Sequence, residues 1–302
     1  MHERKSPAVP VYVVITAARN EAVHIGKTLS SMAAQTVRPI KWFVVSDGST
    51  DRTNELVGEF MAHHGWVELI CLPPREGRHW GAKVDAFNVG YARASQVPFE
   101  FVANLDADVS LSADYFERLL DRFATSPKLG VLGGEVFNDI GNGRVALPVC
   151  HDRHEIPGPC QFFRRPCFEE IGGYLRMLEG GEDAVVTMNA KMLGWGVERL
   201  STCHLIHHRP VGGLGSRSVW AVGMLYGKKD YLLGDHPLWE LGRLFYRMRD
   251  KPYVLNSVVR FASYCWSCLR RIDRQVPDEF VAFRRRWQMR RLRRAVCMKD
   301  EG

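Results

Sequence analysis

Phe99-Glu100-Phe101-Val102-Ala103-Asn104-Leu105-Asp106-Ala107-Asp108 reads as a short apolar strand that runs into two carboxylates two residues apart. Like charges at the mouth of a strand repel each other and are costly to bury unless a cation compensates. A hard divalent ion, Mn2+ or Mg2+, supplies that compensation and bridges to diphosphate oxygens. Two solvated loop acids are the plainer alternative for this motif taken alone.

Outward from this strand the same grammar repeats. Val11 to Ala17, Lys41 to Ser46 and Val67 to Leu72 are β-rich apolar runs, and the segments between them carry helical spacing. The βαβα order predicts an α/β fold with a mainly parallel central sheet flanked by helices. Asp51 is placed to cap a helix ending near Gly65, and Ser112 to cap one ending near Thr125. Sheets of this kind bind ligands beyond the carboxyl ends of their strands, where the acidic motifs fall. From Gly130 the pattern turns to short strands and Gly-rich turns, then a helix over Glu182 to Leu193 and a strand over Val197 to Ile206 that runs into His207, His208 and Arg209. Several helices with aromatic and arginine faces follow Ser218. The expected division is a catalytic unit over 1–215 and a basic helical extension over 216–302.

Three acidic motifs lie in order: Asp47, in Asp47-Gly48-Ser49-Thr50-Asp51; the Asp106 and Asp108 pair; and Gly181-Glu182-Asp183. The first is common turn chemistry, and its Ser and Asp are good helix caps. Glu182 and Asp183 would suit any helix N-terminus, but the preceding Gly180-Gly181 suggests a backbone that lets a substrate approach closely. Together the motifs resemble family 2 of the inverting glycosyltransferases, whose catalytic domain is a nucleotide-sugar-binding fold of the GT-A type.

The resemblance covers roughly Val11 to Arg209 and implies a role for each matching segment. Thr16, Ala17, Arg19 and Glu21 fall in what resembles the first nucleotide-contacting loop, and Asp47 in the second. Lys83 with Ala86-Phe87-Asn88-Val89-Gly90 is similar to a family helix, and Asn104 to Asp108 to its metal motif. Phe163-Arg164-Arg165 through Gly172-Gly173-Tyr174 resembles the acceptor side, and Glu182-Asp183 the catalytic base. Ser46 departs from the pattern, because many members carry an aspartate there. The resemblance also places a histidine after the last strand as a third metal ligand, a role open to His207 and His208 alike. His151 and His154, in His-Asp-Arg-His-Glu, read as a polar loop.

The implied reaction joins these roles. Charge builds on the departing diphosphate, where the metal at Asp106 and Asp108 would meet it, while Asp183 takes the proton of the acceptor hydroxyl. The donor is a nucleoside-diphosphate sugar and the acceptor a sugar or lipid-linked glycan.

Composition narrows the rest. Residues 209 to 302 hold 20 Lys or Arg against 9 Asp or Glu, whereas the whole chain carries a net charge of +7. The acidic and basic parts should therefore meet different partners. Arg284, Arg285, Arg286, Arg290, Arg291, Arg293 and Arg294 surround Trp287, Met289 and Leu292, a pattern that fits an anionic membrane surface. Nucleic acid is not expected, since no binding module is visible. No signal-peptide pattern or long apolar run is present, so the expectation is a cytoplasmic protein, peripheral on the cytoplasmic face of the membrane. The eight cysteines are expected as reduced thiols, with Cys265 and Cys268 packing on a helix.

Three other classes fit the sequence less well. A sugar-phosphate nucleotidyltransferase would carry a Gly-rich basic loop that Thr16 to Glu21 lacks. A non-catalytic nucleotide-sugar-binding protein fits poorly with intact Asp106, Asp108 and Asp183. A dehydrogenase would need a Gly-x-Gly-x-x-Gly turn after the first strand.

Overall fold

The apolar runs become strands of one sheet in the computed structural model, which describes residues 10–74, 81–141, 145, 155–177, 179–209, 218–248 and 254–297. The first half alternates strictly: β1 (Tyr12–Ala18), α1 (Ile25–Ala33), β2 (Lys41–Asp47), α2 (Thr53–His63), β3 (Val67–Leu72), α3 (Gly81–Ala94) and β4 (Phe101–Leu105). Strands β3, β2, β1 and β4 lie side by side and all parallel, so the loops after β1, β2 and β4 emerge at one edge. That shared edge is what gathers the acidic motifs.

The second half is more mixed than its sequence suggests. It comprises β5 (Val109–Leu111), α4 (Tyr115–Thr125), β6 (Leu129–Asn138), β7 (Cys160–Arg164), α5 (Arg165–Glu170), α6 (Glu182–Met192) and β8 (Gly196–His207). The strand order among the described residues is β3-β2-β1-β4-β7-β6-β8-β5. β7 runs antiparallel to both β4 and β6, while β8 is parallel to β6 and antiparallel to β5. β6 is also longer than the short strands expected there, at ten residues. Helix α4 starts at Tyr115 with Asp114 at its cap position, two residues later than a Ser112 cap would place it.

Alternation along each strand sends successive side chains to opposite faces. Tyr12 and Val14 of β1 pack with α1, α2 and α4 through Leu29, Val57 and Phe116. Val13 and Ile15 pack on the other face with α3, α5 and α6 through Phe87, Phe168 and Val186. With helices on both sides, β1, β2 and β4 are buried in nearly every position and mostly apolar, as covered parallel strands are.

Four helices complete the described chain: α7 (Val219–Leu232), α8 (Pro237–Arg247), α9 (Val254–Leu269) and α10 (Asp278–Cys297). They share a core with the sheet unit, since Leu233, Val276, Phe280 and Val281 pack with Met177, Val185 and Met188. A buried charge network ties the four together. Asp230 binds Arg260 at 2.5 Å, Glu240 lies 3.1 Å from Arg243 and 3.3 Å from Arg247, and Asp235 takes Arg243, Arg284 and Gln288. Arg284 and Arg285 thus turn inward, the latter to the Gly234 carbonyl, and Arg291 stacks between Trp239 and Trp287. The seven arginines of α10 are therefore not one solvent-facing group. Arg286, Arg290, Arg293 and Arg294 keep the exposed side. Cys265 and Cys268 pack near Tyr231 and Tyr264 as free thiols.

The seat of α3 on the sheet is tight at one point. A Cβ at Gly90 would stand 2.6 Å from Ile15 Cγ2 and 3.1 Å from Val45 Cγ2. Gly90→Val should therefore destabilise the protein by about 1–3 kcal/mol through overpacking. Urea denaturation would read this, and an unchanged midpoint would mean that α3 does not approach β1 so closely.

Candidate active site

The loops after β1 and β2 are built as one piece. Asn20 adopts a left-handed conformation with φ 56°, which Asn tolerates better than most residues. Its side-chain oxygen accepts the Thr50 amide at 2.8 Å, and its own amide donates to Ser49 Oγ at 3.2 Å. Asp51 accepts the Ala22 amide at 3.0 Å and the Thr53 amide at 3.0 Å, and Thr53 Oγ1 accepts the Glu21 amide at 2.8 Å. Ser49 and Asp51 thus join the two loops. Asp47 stays nearly buried at the end of β2, 4.0 Å from Arg19. Ser46 donates to, or accepts from, Ser49 at 2.9 Å. Thr16 is placed differently from its expected nucleotide contact: it is fully buried, and its hydroxyl accepts the Trp42 indole N–H at 3.0 Å. Ala17 is half-buried on the strand beside it.

The Asp106 and Asp108 turn is fixed from three sides. The Asp106 amide donates to the Pro159 carbonyl at 2.9 Å. Thr28 of α1 places its hydroxyl 2.8 Å from the Ala107 carbonyl and 2.7 Å from that of Val109, and accepts the Val109 amide at 3.2 Å. The antiparallel register of β5 and β8 then pairs Val109 with His207, which brings the imidazole to the neighbouring Asp108. His207 Nε2 lies 3.3 Å from Asp108 Oδ1.

His208 goes elsewhere, and this settles the geometry that the sequence left open. Its amide donates to the Asp108 carbonyl at 2.8 Å, but its ring lies against Ser110 at 2.9 Å, Asp139 at 3.1 Å and Lys27 at 3.1 Å. Consecutive strand-end residues point to opposite sides, so only one of the two can face the carboxylates.

The carboxylates are met by cations from distant parts of the chain. Lys83 of α3 sits 2.5 Å from Asp106, and Arg209 bridges Asp108, at 3.4 Å, and Glu21. Burial pushes the Glu21 carboxyl up to about 7, with the Asp108 charge adding and Arg209 opposing. Burial raises Asp106 above the usual carboxylate range despite Lys83. It acts on Asp108 too, but there His207 and Arg209 more than reverse it and hold the group below that range. Burial disfavours the His207 imidazolium, yet the adjoining carboxylates hold its pKa above the ordinary value.

Asp106, Asp108 and His207 offer ligand atoms that all lie within 4.8 Å of one another. Two carboxylates and an imidazole are a donor set suited to Mn2+, and the carboxylates alone to Mg2+, so the residues fit a divalent ion. A second acidic group, Asp230, Asp235 and Glu240, is equally close but already neutralised by arginines.

Lys83 also interacts electrostatically with a second acidic group, Glu182 and Asp183. They open α6 after Gly181, whose φ of +107° needs a glycine. Asp183 accepts the Ala184 amide at 2.9 Å, and its Oδ2 lies 3.1 Å from where a Cβ on Gly158 would be. Gln161 of β7 donates to the Asp183 carbonyl at 3.1 Å and is itself held by the Tyr174 hydroxyl at 2.8 Å. Asn104 points its amide toward the Gly158 carbonyl at 3.5 Å. Burial and the Asp183 charge raise Glu182, opposed by Lys83 and Lys229.

Several participants had no role in the sequence reading. Arg209 was visible beside the histidines, but its pairing with Glu21 spans 188 residues and leaves no local signal. Lys228 and Lys229 of α7 reach the same region: Lys228 pairs with Glu179 at 2.5 Å, and Lys229 Cε lies 2.8 Å from a Cβ placed on Gly181. Conversely, Arg164 and Arg165 do not line an open acceptor side. Arg164 donates to the Leu129 and Phe123 carbonyls and stacks on Phe101, while Arg165 pairs with Glu169 over Phe99. His151 and His154 lie outside the described residues.

Comparison with known proteins bears on this arrangement. The family model for glycosyl transferase family 2 matches residues 13–172, just over half of the chain. The poly-beta-1,6-N-acetyl-D-glucosamine synthase of Staphylococcus epidermidis is 25% identical over 229 residues, covering 69% of this chain and 53% of that protein. The synthase of the same name from Staphylococcus aureus strain COL is likewise 25% identical with the same coverage. The chain thus spans about half the length of these curated relatives. Among solved structures, S. aureus TarS 1–349 in complex with UDP-GlcNAc superposes with a TM-score of 0.54 at 17% identity, over 72% of this chain and 64% of that one. The mannosyltransferase PcManGT from Pyrobaculum calidifontis, in complex with GDP-Man and Mn2+, gives 0.57 at 18% identity, over 86% and 75%. At these identities the structural likeness shows the fold.

The divergent placement of the two histidines makes a direct test. His207→Ala should weaken Mn2+ binding, read by isothermal titration, by about tenfold or more, whereas His208→Ala should stay within about twofold of wild type. Equal losses would contradict the geometry.

Proposed function

Because the chain belongs to glycosyl transferase family 2, we propose that it is an inverting glycosyltransferase that moves a sugar from a nucleoside-diphosphate-sugar donor to an acceptor hydroxyl. The observation that carries this reading is the gathering of two acidic groups around Lys83: Asp106 and Asp108 with His207, and Glu182 with Asp183. One group suits the departing diphosphate, and the other suits a proton acceptor on the far side of the reacting carbon. Single displacement with inversion needs that division of labour.

Asp106, Asp108 and His207 would hold Mn2+ or Mg2+, which supplies positive charge to the leaving diphosphate. Lys83 adds a fixed positive charge beside the same position and keeps Asp106 oriented. Arg209 fixes Glu21 against Asp108, so the loop after β1 moves with the metal-type turn. Ala17, Arg19 and Asp47 border the nucleotide end of the site, while Thr16 and Asn104 support it from within the sheet. Asp183 takes the acceptor proton as general base. Its backbone is anchored to Gln161, and the missing side chain at Gly158 leaves its Oδ2 approachable. Glu182 stands next to it as a second carboxylate.

The relatives support the wider setting. The curated synthases are named for a polysaccharide, and the two solved structures hold UDP-GlcNAc and GDP-Man. In this reading the donor is a nucleotide sugar, the acceptor a sugar or lipid-linked glycan in cell-surface polysaccharide or lipid-linked glycan synthesis, and a further partner an anionic membrane surface. Residues 1–215 form the catalytic unit and 216–302 the extension that meets the membrane.

Two substitutions separate the roles. Asp108→Asn should abolish transfer and remove the Mn2+ dependence of nucleoside diphosphate binding while the fold persists, and an unchanged metal dependence would refute the ligand assignment. Asp183→Asn keeps size and hydrogen bonding but cannot take a proton, so donor affinity should survive while turnover falls by about 10² or more. Near-normal turnover in that variant would move the base elsewhere.

A further inference from the structure

Exposed apolar surface is distributed unevenly over this molecule. Of the 18 large hydrophobic side chains that are exposed among the described residues, 11 fall between Trp220 and Leu269, on α7, α8 and α9. Isolated exposed hydrophobics are ordinary, but a concentration of this kind marks a surface that meets another phase or partner.

Their spacing is regular. On α8, Leu238, Leu241 and Phe245 recur at intervals of three and four, and the inward side carries Glu240, Arg243 and Arg247 of the charge network. On α9, Leu255, Val258, Trp266 and Leu269 recur on one side, and the buried residues Ser257, Tyr264 and Ser267 lie on the other. Each helix therefore carries one row that the fold buries and one that it leaves open. The open rows face solvent, most of all at Phe245, 63% exposed, and Leu269, 78% exposed. α7 adds Trp220 and Met224, and it is locked against α9 through Gly227, where a Cβ would stand 2.1 Å from the Arg260 carbonyl.

Charge identifies the occupant. The apolar rows are accompanied by exposed Arg270 and Arg271 at the end of α9, with the Arg270 guanidinium 4.7 Å from the Trp266 ring centroid, and by Arg286, Arg290, Arg293 and Arg294 on one side of α10. A second copy of this chain would bring the same basic segment, residues 209 to 302 with 20 Lys or Arg against 9 Asp or Glu, against itself, which like-charge repulsion opposes. An anionic bilayer satisfies both features, because interfacial helices bury apolar rows to the acyl boundary while arginines meet the headgroups. No helix among the described residues is long and apolar enough to cross a membrane, so these rows would lie along the surface. We infer that the open rows of α8 and α9, with the exposed arginines of α10, form a docking face for an anionic lipid bilayer. This rests on the membrane partner proposed above and assigns it a surface different from the whole arginine helix that the sequence suggested.

Co-sedimentation of the full chain with phosphatidylcholine vesicles, with and without phosphatidylserine, tests the inference. Wild type should bind the anionic vesicles, and less as salt rises. Leu241→Gln with Phe245→Gln, and separately Val258→Gln with Trp266→Gln, should each weaken binding by about tenfold or more. Arg290→Gln with Arg293→Gln and Arg294→Gln should weaken it by about fivefold per arginine. All these positions are exposed, so unfolding midpoints and nucleoside diphosphate affinity should remain those of wild type, which keeps the face distinct from the active site. If wild type ignores anionic vesicles, the membrane reading itself falls, and if it binds neutral ones equally, the anionic docking face is overturned. If wild type binds but the α8 and α9 variants bind equally well, the face is wrong and the membrane reading stands. A concentration-dependent dimer in sedimentation velocity that the apolar variants abolish, without vesicle binding, would give the face to a second copy and overturn the inference.

Discussion

Three carboxylates, on Glu21, Asp106 and Asp108, share one largely buried corner of this protein, and their mutual repulsion is the constraint around which the site is built. Buried like charges are tolerable only when cations or hydrogen bonds offset them. Here the offsets come from far along the chain: Lys83 on α3, His207 at the end of β8 and Arg209 just beyond it. The sheet order follows the same need. β1 and β4 must be neighbours for Glu21 and Asp106 to meet, and β8 must pair with β5 for His207 to reach Asp108.

The strongly shifted groups show how unevenly that corner shares its charge. Asp106 is driven up and Asp108 held down although they are two residues apart, because Asp108 has two cationic partners, His207 and Arg209, whose pull outweighs the effect of burial. Lys83 also feels Glu182 and Asp183, so one cation faces both acidic groups.

The C-terminal helices solve the same physical problem differently. Asp230, Asp235 and Glu240 are as close together as the metal-type group, yet four arginines surround them and leave little need for an ion. Their role is to fix α7, α8, α9 and α10 to one another. α7 in turn reaches the loop before α6 through Lys228 and Lys229, so the extension bears on the candidate base as well as on the outer surface.

Local chemistry was legible in the sequence because it depends on neighbours along the chain. Alternating apolar runs gave β1, β2, β3 and β4 within a residue or two, and Asp106, Asp108, Glu182 and Asp183 announced themselves by their position after strands or before a helix. The antiparallel insertion of β7 was not legible, since period-two patterning carries no direction. Nor were the fates of residues whose partners lie far away. Thr16 is spent on Trp42 and Arg164 on backbone carbonyls, while Thr28 and Gln161, ordinary polar residues in sequence, hold the two acidic turns. The choice between His207 and His208 belongs to the same class: adjacent residues in a strand are chemically alike, and only the register of β8 against β5 determines which one faces Asp108. The sequence by itself therefore determined the kind of fold and the acidic groups that meet in the candidate site. The tertiary structure alone decided which cations meet them and which apolar rows stay open, because those depend on contacts between segments that sequence separation hides.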